Sequence, residues 1–133
     1  MSVFVDTSGF LAVLDRDEIN HQRAASAWGE VLQSDEVLTT TNYVLIETCA
    51  LLQHRLGLAA VRFFQEEIVP VLRITWVDAT LHHTSMSVVL AAGRKKLSLV
   101  DCVSFETMRM EGVTTAFTLD RHFREQGFTC LPV

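Results

Sequence analysis

The stretch Ser2-Val3-Phe4-Val5-Asp6 (residues 2–6) is a short apolar run that ends in a carboxylate. A continuous apolar run rich in β-branched and aromatic residues predicts a strand that is covered on both faces. The carboxylate then stands where this strand ends. Burying an ionised carboxylate costs several kcal/mol unless the group is paired or coordinates a metal. Asp6 is therefore the first candidate functional residue.

Three further carboxylates occupy comparable positions: Glu47 within residues 42–52, Asp101 after residues 97–100 and Asp120 after residues 113–119. The neighbouring cations are too few to pair four such groups. Two carboxylates about 5 Å apart repel each other by roughly 3 kcal/mol at an effective dielectric of about 20, so a metal-free cluster would hold protons or stay disordered. Oxygen ligands suit Mg²⁺ or Mn²⁺ rather than zinc. The four acids therefore predict a divalent metal site.

Strand-like and helical segments alternate along the chain. The β-prone segments are residues 2–5, 37–41, 73–77, 113–117 and 129–131. Between them, apolar residues recur at three- and four-residue spacing, which is typical of amphipathic helices. Four glycines stand where helices should end and are predicted to adopt the left-handed conformation there: Gly57, Gly93, Gly112 and Gly127. The alternation predicts one domain over residues 1–133, an α/β/α sandwich with a mostly parallel, roughly five-stranded sheet.

All four carboxylates are predicted to reach one edge of this sheet. In open α/β sheets the ligand crevice lies at the carboxyl ends of the strands. Asp6 ends the first strand, and Asp120 lies just beyond the fourth. Glu47 falls in the second turn of the helix after the second strand, and Asp101 opens the helix that leads into the fourth.

Helix capping is the alternative role for three of these acids. Asp6 and Asp120 could each cap the helix that follows, and Ser98 with Asp101 matches a capping box. Glu47 has no such role, because it lies beyond the first turn of its helix. Capping and metal binding are compatible, since the backbone amides at a helix N-terminus hold a carboxylate in place.

The overall charge limits how the protein could bind nucleic acid. Sixteen acidic and eleven basic residues give a net charge of −5, which argues against a broad basic binding surface. A nuclease is still possible, because bound metal ions reverse the local field at an acidic site. The two basic clusters, Arg94-Lys95-Lys96 and Arg121 with Arg124, are interpreted as solvated loop and helix ends.

Other features of the sequence add no second site. No apolar run approaches the ~18 residues of a membrane span, and the N-terminus lacks a basic signal region, so we expect a cytoplasmic protein without membrane association. His54 and His122 are interpreted as isolated, and Asp78 as the N-cap of the next helix. The three cysteines lack metal-ligand spacing and are expected to be inert buried thiols: Cys49, Cys102 and Cys130.

Four motifs together resemble the PIN domain, and more narrowly the VapC-type toxins of bacterial and archaeal toxin–antitoxin modules. They are VDTS (5–8), IE (46–47) on an apolar helix, LSLVDC (97–102) and FTLDRHF (117–123). The resemblance covers essentially the whole chain. It implies metal-ligating roles for Asp6, Glu47 and Asp101, with Asp120 completing the site directly or through water. It also implies that the hydroxyls of three residues orient these carboxylates: Thr7, Ser8 and Thr118.

The resemblance implies a function as well. A PIN-type toxin is expected to be a Mg²⁺- or Mn²⁺-dependent endoribonuclease that hydrolyses RNA phosphodiesters with an activated water, leaving a 5′-phosphate and a 3′-hydroxyl. Such a protein is expected to form a homodimer and to be silenced by a cognate antitoxin protein whose C-terminal segment covers the acidic cleft.

Two other classes of protein stay open at this point. The chain could be a PIN-fold interaction module without catalysis. It could also be a phosphoryl-transfer domain with an aspartate nucleophile at the end of its first strand. That class needs a second Asp two residues after the nucleophile, where this chain has Ser8, or a Lys at a fixed strand end, and no well-placed Lys is evident.

Overall fold

The computed structural model describes residues 1–133 and contains one five-stranded sheet in which every pairing is parallel. The strands are β1 Ser2–Val5, β2 Val37–Thr41, β3 Leu72–Thr75, β4 Thr115–Phe117 and β5 Thr129–Leu131, in the spatial order β3-β2-β1-β4-β5. The helices are α1 Thr7–Leu14, α2 His21–Gln33, α3 Asn42–Leu56, α4 Leu58–Phe63, α5 Ala79–Ala92, α6 Leu99–Glu111 and α7 Arg121–Glu125. A π-helical turn, Phe64–Ile68, and a 3₁₀ turn, Val69–Val71, lead from α4 into β3.

The predicted fold class is confirmed, and three of the five predicted strands have the predicted bounds. The third strand ends at Thr75 instead of residue 77, because the Val77 N–H donates to the side chain of Asn42 (2.7 Å) and not to the sheet. The fourth begins at Thr115 instead of residue 113, because the Val113 N–H closes the end of α6 by donating to the Met108 carbonyl (2.8 Å).

One of the predicted helix-ending glycines differs from expectation. Gly93 and Gly112 have the left-handed geometry that was predicted. Gly57 has φ 93° and ψ −176°, which lies outside the left-handed helical region. The reason is that α4 begins at Leu58, so this single residue ends α3 and starts α4. Its extended ψ turns the chain at once into the next helix.

Aromatic clusters pack against the two faces of the sheet. On one face the Phe10 ring lies 5.0 Å from Phe64 and 6.2 Å from Trp28, measured between centroids, and Trp28 lies 5.4 Å from Phe117 of β4. On the other face the Phe4 ring of β1 packs on the Phe123 ring of α7. Phe123 also contacts Phe105 of α6 and Phe128, which directly precedes β5, and the last two rings contact each other. These contacts make the three-layer arrangement, with β1 at the centre.

The contact between α1 and β4 is unusually close. A Cβ atom at Gly9 would lie 2.4 Å from the carbonyl oxygen of Phe117, so only glycine allows the helix to sit here. The backbone N–H of Asp6 also donates to that oxygen (3.3 Å). The start of α1 is therefore held against the segment that follows β4, where two of the motifs meet. None of the helices is long and apolar enough to cross a bilayer.

Candidate active site

The structure brings the four acids together at the carboxyl edge of the sheet. Asp6 directly follows β1, and Asp120 lies three residues beyond β4. Glu47 lies in the second turn of α3 and Asp101 in the first turn of α6. Side chains from all four line one cavity of about 300 Å³, which we call the acidic cavity. Its lining residues come from four elements that are distant in sequence, and the order of the strands makes them neighbours.

The burial of these acids differs from the sequence-based expectation. Asp6 is buried, with 6% of its surface exposed. Each acid was predicted in or at the edge of an apolar stretch that should be core, but the side chains of Glu47, Asp101 and Asp120 are partly exposed. The apolar stretches beside them do enter the core, but these side chains face the crevice beyond the ends of the strands. Carboxylates placed there stay accessible to a ligand.

Three of the acids cap helices, as the alternative interpretation predicted. One oxygen of Asp6 accepts from the N–H of Gly9 (3.0 Å), and one oxygen of Asp120 accepts from the N–H of His122 (2.9 Å). Asp101 and Ser98 form a complete capping box. In each aspartate the cap occupies a single oxygen, and the second oxygen has no hydrogen bond within the protein. The caps therefore hold the carboxylates in position and leave one ligand atom of each available.

Glu47 differs from the three aspartates because it has no capping contact. Neither of its carboxylate oxygens forms a hydrogen bond or an ion pair within the protein. Glu47 lines a cavity with three other carboxylates, and no contact of its own explains it as a structural acid. Asp78, by contrast, is the N-cap of α5, as predicted, through the Leu81 N–H (2.9 Å).

Two hydroxyl groups connect Asp6 to the segment after β4. The Ser8 hydroxyl donates to Asp6 (2.8 Å) and accepts from the N–H of Leu119 (2.9 Å). The Thr118 hydroxyl accepts from the N–H of Asp120 (2.9 Å) and lies 3.1 Å from the Ser8 oxygen. Because the single Ser8 proton is directed at Asp6, the Thr118 hydroxyl is the donor in this last contact. The two hydroxyls thus fix the separation of two carboxylates.

Thr7 behaves differently from these two residues. Its hydroxyl accepts from Thr48 of α3 (3.3 Å) and contacts none of the four carboxylates. It lines the acidic cavity beside Asp6, so it joins α1 to α3 and positions the cavity wall.

Burial changes the acidity of two of these groups. Desolvation raises the pKa of Asp6 from 3.8 to about 7, against the opposing effect of the hydrogen bonds from Gly9 and Ser8. Desolvation also raises the pKa of Asp101, and the charge of Asp120 adds to this rise. Without a cation, Asp6 is therefore partly protonated near neutral pH, mainly because it is buried.

His122 was interpreted as isolated, and the structure shows that this was wrong. Its ring is buried, and Nδ1 lies 2.9 Å from Asp120 Oδ1, although the angle does not make a hydrogen bond and Nδ1 has no other partner. A ring nitrogen of His122 and carboxylate oxygens of Asp101 and Asp120 lie within 4.8 Å of one another. The sequence Asp120-Arg121-His122 could have indicated this contact. When Asp120 caps a helix, His122 lies in the first turn close to the capping carboxylate.

Lys96 is a second residue whose role the sequence did not indicate. In the sequence, Lys96 is interpreted as part of a solvated basic cluster, and no Lys suited to a phosphoryl-transfer site is evident. In the structure Lys96 lines the acidic cavity with the four acids. It forms no ion pair there. The loop between α5 and α6 carries it over the cavity, and the path of that loop is not encoded in a local pattern. An ammonium group at this position can meet the oxygens of an anionic substrate.

The donor set of the cavity fits a hard divalent cation. Three aspartates and one glutamate offer free oxygens, and Mg²⁺ binds oxygen at about 2.0–2.1 Å, so two of its ligands lie at most about 4.2 Å apart. The donor atoms of Asp101, Asp120 and His122, within 4.8 Å of one another, are already near that limit. Asp6 and Glu47 line the same cavity and would complete the shell directly or through water.

Comparison with known proteins identifies the family to which this chain is related. Residues 3–128 match the PIN domain family. The 23S rRNA-specific endonuclease VapC20 of Mycobacterium tuberculosis is 32% identical over 127 residues, which is 95% of both chains. The crystal structure of VapC20, a sarcin-ricin loop cleaving toxin, covers 96% of each chain with a TM-score of 0.84.

A more distant structure shows the same fold. FitAcB from Neisseria gonorrhoeae has a TM-score of 0.68 at 17% identity, over 98% of this chain and 96% of its own. At that identity the similarity concerns the fold alone. The family match over residues 3–128, together with the 32% identical relative, shows that this protein belongs to the PIN domain family.

Proposed function

We propose that this protein is a divalent-metal-dependent endoribonuclease and the toxin of a toxin–antitoxin module, formed by a single domain. One observation carries the proposal: four carboxylates line one cavity at the carboxyl edge of the sheet, and each keeps an oxygen free of internal hydrogen bonds. The endonuclease activity and toxin role named for VapC20 support it, because that relative is similar over almost the whole chain.

The four acids would hold Mg²⁺ or Mn²⁺: Asp6, Glu47, Asp101 and Asp120. When bound, the ion supplies Lewis-acid catalysis and lowers the pKa of a coordinated water. The aspartate caps and the Ser8 and Thr118 hydroxyls keep the ligand oxygens in place, so little reorganisation is needed. Lys96 would contact the scissile phosphate at the mouth of the cavity.

The hydroxyl groups nearest Asp6 are engaged in hydrogen bonds. The Ser8 hydroxyl donates to Asp6 and accepts from Leu119, so its proton and lone pairs are engaged. The Thr118 hydroxyl accepts from the N–H of Asp120, and the Thr7 hydroxyl accepts from Thr48. We expect water, and not the Ser8 hydroxyl, to supply the attacking oxygen, which gives products with a 5′-phosphate and a 3′-hydroxyl.

The negative charge of the acidic cavity indicates the kind of protein partner that would bind there. A compact group of four carboxylates is a strong acceptor for a guanidinium or ammonium group, so we expect a cognate antitoxin to direct an Arg or Lys into the acidic cavity. We also expect a homodimer in the cytoplasm. We expect RNA to be the substrate.

The alternative functions are less well supported. In a non-catalytic PIN module the free oxygens of four acids would serve no purpose. Lys96 in the cavity favours a phosphoryl-transfer domain, but Ser8 replaces the second Asp of that class and Asp6 is only 6% exposed. Labelling of Asp6 by acetyl phosphate would revive this alternative.

The decisive experiment is an assay of the purified protein on total cellular RNA. Wild-type protein should cut RNA with Mg²⁺ or Mn²⁺ and lose this activity in chelator. Asp101→Asn should be inactive, whereas the matched control Asp35→Asn, at an exposed position between α2 and β2, should retain full activity. Cleavage that survives in chelator, or in Asp101→Asn, would refute the proposal.

A further inference from the structure

A second, smaller cavity adjoins the acidic cavity and has the opposite character. It encloses about 150 Å³, and three of its lining residues are arginines: Arg23, Arg121 and Arg124. Asp120 lines this cavity and the acidic cavity alike, so it stands between them. We call the smaller one the arginine pocket. It is a concentrated positive region in a protein whose net charge is −5.

The three arginines are not explained by internal ion pairs. Of the eleven Lys and Arg residues, four form ion pairs with carboxylates: Arg62, Arg73, Arg94 and Arg109. None of the pocket arginines is among them. Arg23 donates only to the side-chain oxygen of Asn20 (3.3 Å), which also lines the pocket. Asp120 is the single acidic residue in the lining, and its own contacts are with α7.

The size and chemistry of the pocket suit a small anion. Guanidinium groups present a planar set of donors that matches two oxygens of a phosphate, and they stay charged at any physiological pH. Seven of the nine lining residues are not hydrophobic, so the pocket offers little to a base or an apolar side chain. A phosphodiester group fits both the volume and the charge.

A phosphate site beside the acidic cavity would offset the repulsion between its carboxylates and RNA. Its carboxylates repel an RNA strand until cations occupy the cavity, and Lys96 is the single basic residue in its lining. Phosphates on either side of the cut carry the same negative charge, and a site beside Asp120 would hold one of them next to the reacting group. A contact with a non-reacting phosphate binds the ground state and the transition state alike, so it would strengthen RNA binding more than it speeds the chemical step.

We propose that the arginine pocket binds a backbone phosphate of the RNA next to the scissile phosphate. This inference rests on the proposed function, because it presumes that RNA enters the acidic cavity. The pocket would contribute to substrate binding and register without reading the base, since phosphate contacts carry no sequence information.

The first test removes the charges of the pocket. The variant Arg23→Gln/Arg121→Gln/Arg124→Gln should raise KM for RNA roughly tenfold with kcat little changed, because each exposed charge contact contributes a factor of roughly two and binds ground and transition states alike. In chelator, the slope of log Kd against log salt for single-stranded RNA should fall by about 0.7, because one phosphate contact is lost.

Arg55→Gln is the matched control. Arg55 is exposed and unpaired, and it lies in the last turn of α3, eight residues and so about 12 Å along the helix from Glu47. It should bind and cut RNA like the wild type, with an unchanged salt slope. Circular dichroism checks that the triple variant is folded.

The second test changes the RNA and leaves the protein intact. A methylphosphonate, which lacks the phosphate charge, is placed at one position at a time on either side of the cut. At one adjacent position it should raise KM for the wild type and have little further effect on the triple variant. Equal effects on both proteins at every position would overturn the proposal.

The outcomes separate the two proposals. Wild-type protein that neither binds nor cuts RNA would overturn both. Wild-type protein that cuts RNA, with a triple variant of unchanged KM and salt slope, would overturn the arginine pocket alone. A triple variant that loses affinity for an acidic peptide but none for RNA would show that the pocket holds a protein carboxylate, which also overturns the phosphate assignment.

Discussion

Replacing Asp6 with Asn should stabilise the metal-free protein, and the gain should grow with pH. Asp6 is 6% exposed, and desolvation raises its pKa from 3.8 to about 7. Between these values the folded protein holds a proton that the unfolded chain has released. The stability contributed by protonated Asp6 is therefore complete below about pH 4 and is lost as the pH rises to about 7. An amide has no charge to desolvate, so the stability of Asp6→Asn does not fall through ionisation at residue 6 as the pH rises.

The magnitude follows from the shift. A rise of roughly three units corresponds to about 4 kcal/mol at pH 8, which is an upper limit because the cavity opens to water. The Asn oxygen can still accept from Gly9 and Ser8, whereas its new N–H groups cost some of the gain. We expect roughly 2 kcal/mol, and hence a rise in Tm of roughly 8 °C for a domain of this size.

The measurement is urea unfolding in chelator at several values between pH 5 and pH 8. The stability difference between Asp6→Asn and the wild type should increase steadily to pH 7 and then level off. Asp35→Asn, an exposed control, should follow the wild-type curve. Parallel curves for Asp6→Asn and the wild type would refute the argument, because they would mean that burial does not raise the pKa of this carboxyl group.

Four further predictions test other parts of the structure. Mg²⁺ at one hundred times its Kd should stabilise the wild type by about 2.7 kcal/mol in thermal unfolding, and Glu47→Gln much less; equal shifts would place the metal elsewhere. Gly9→Ala should destabilise by roughly 1–3 kcal/mol in urea, because its Cβ would meet the backbone of β4, whereas Gly29→Ala, with open space in α2, should be neutral or stabilising. Ser8→Ala should cost roughly 1–3 kcal/mol and most of the cleavage activity, since it leaves the Leu119 N–H without its acceptor; unchanged kcat would argue against a positioning role. Calorimetric titration of a cognate antitoxin should show that Mg²⁺ weakens its binding and that the antitoxin weakens Mg²⁺ binding by the same factor; metal-independent affinity would mean that it acts by covering the RNA path.

Local sequence patterns were sufficient to predict the architecture and to predict that the four acids lie at one edge of the sheet. The strand that ends at Asp6 and the capping box at Ser98 and Asp101 depend on neighbours within a few residues, so their roles could be read directly. The parallel sheet then brings the ends of distant strands together, which is why the convergence of the carboxylates could be predicted without coordinates.

The remaining features of the site depend on tertiary packing. The contact of His122 with Asp120 depends on how the short helix α7 turns, and the position of Lys96 depends on a loop path. The arginine pocket joins Arg23 of α2 to Arg121 and Arg124 near the other end of the chain. No periodicity in the sequence connects these residues. The sequence also did not indicate that three of the acids are partly exposed. Residues that are apolar neighbours in sequence need not surround a side chain in space.

Cleavage of RNA in water enriched in ¹⁸O tests most directly whether the acidic cavity hydrolyses RNA with a metal-activated water. With Mg²⁺, mass spectrometry of the fragments should show one solvent oxygen in each new 5′-phosphate and an unlabelled 3′-hydroxyl on the other fragment, and no product in chelator. Fragments that end in a 2′,3′-cyclic phosphate, or a 5′-phosphate without solvent oxygen, would contradict the account.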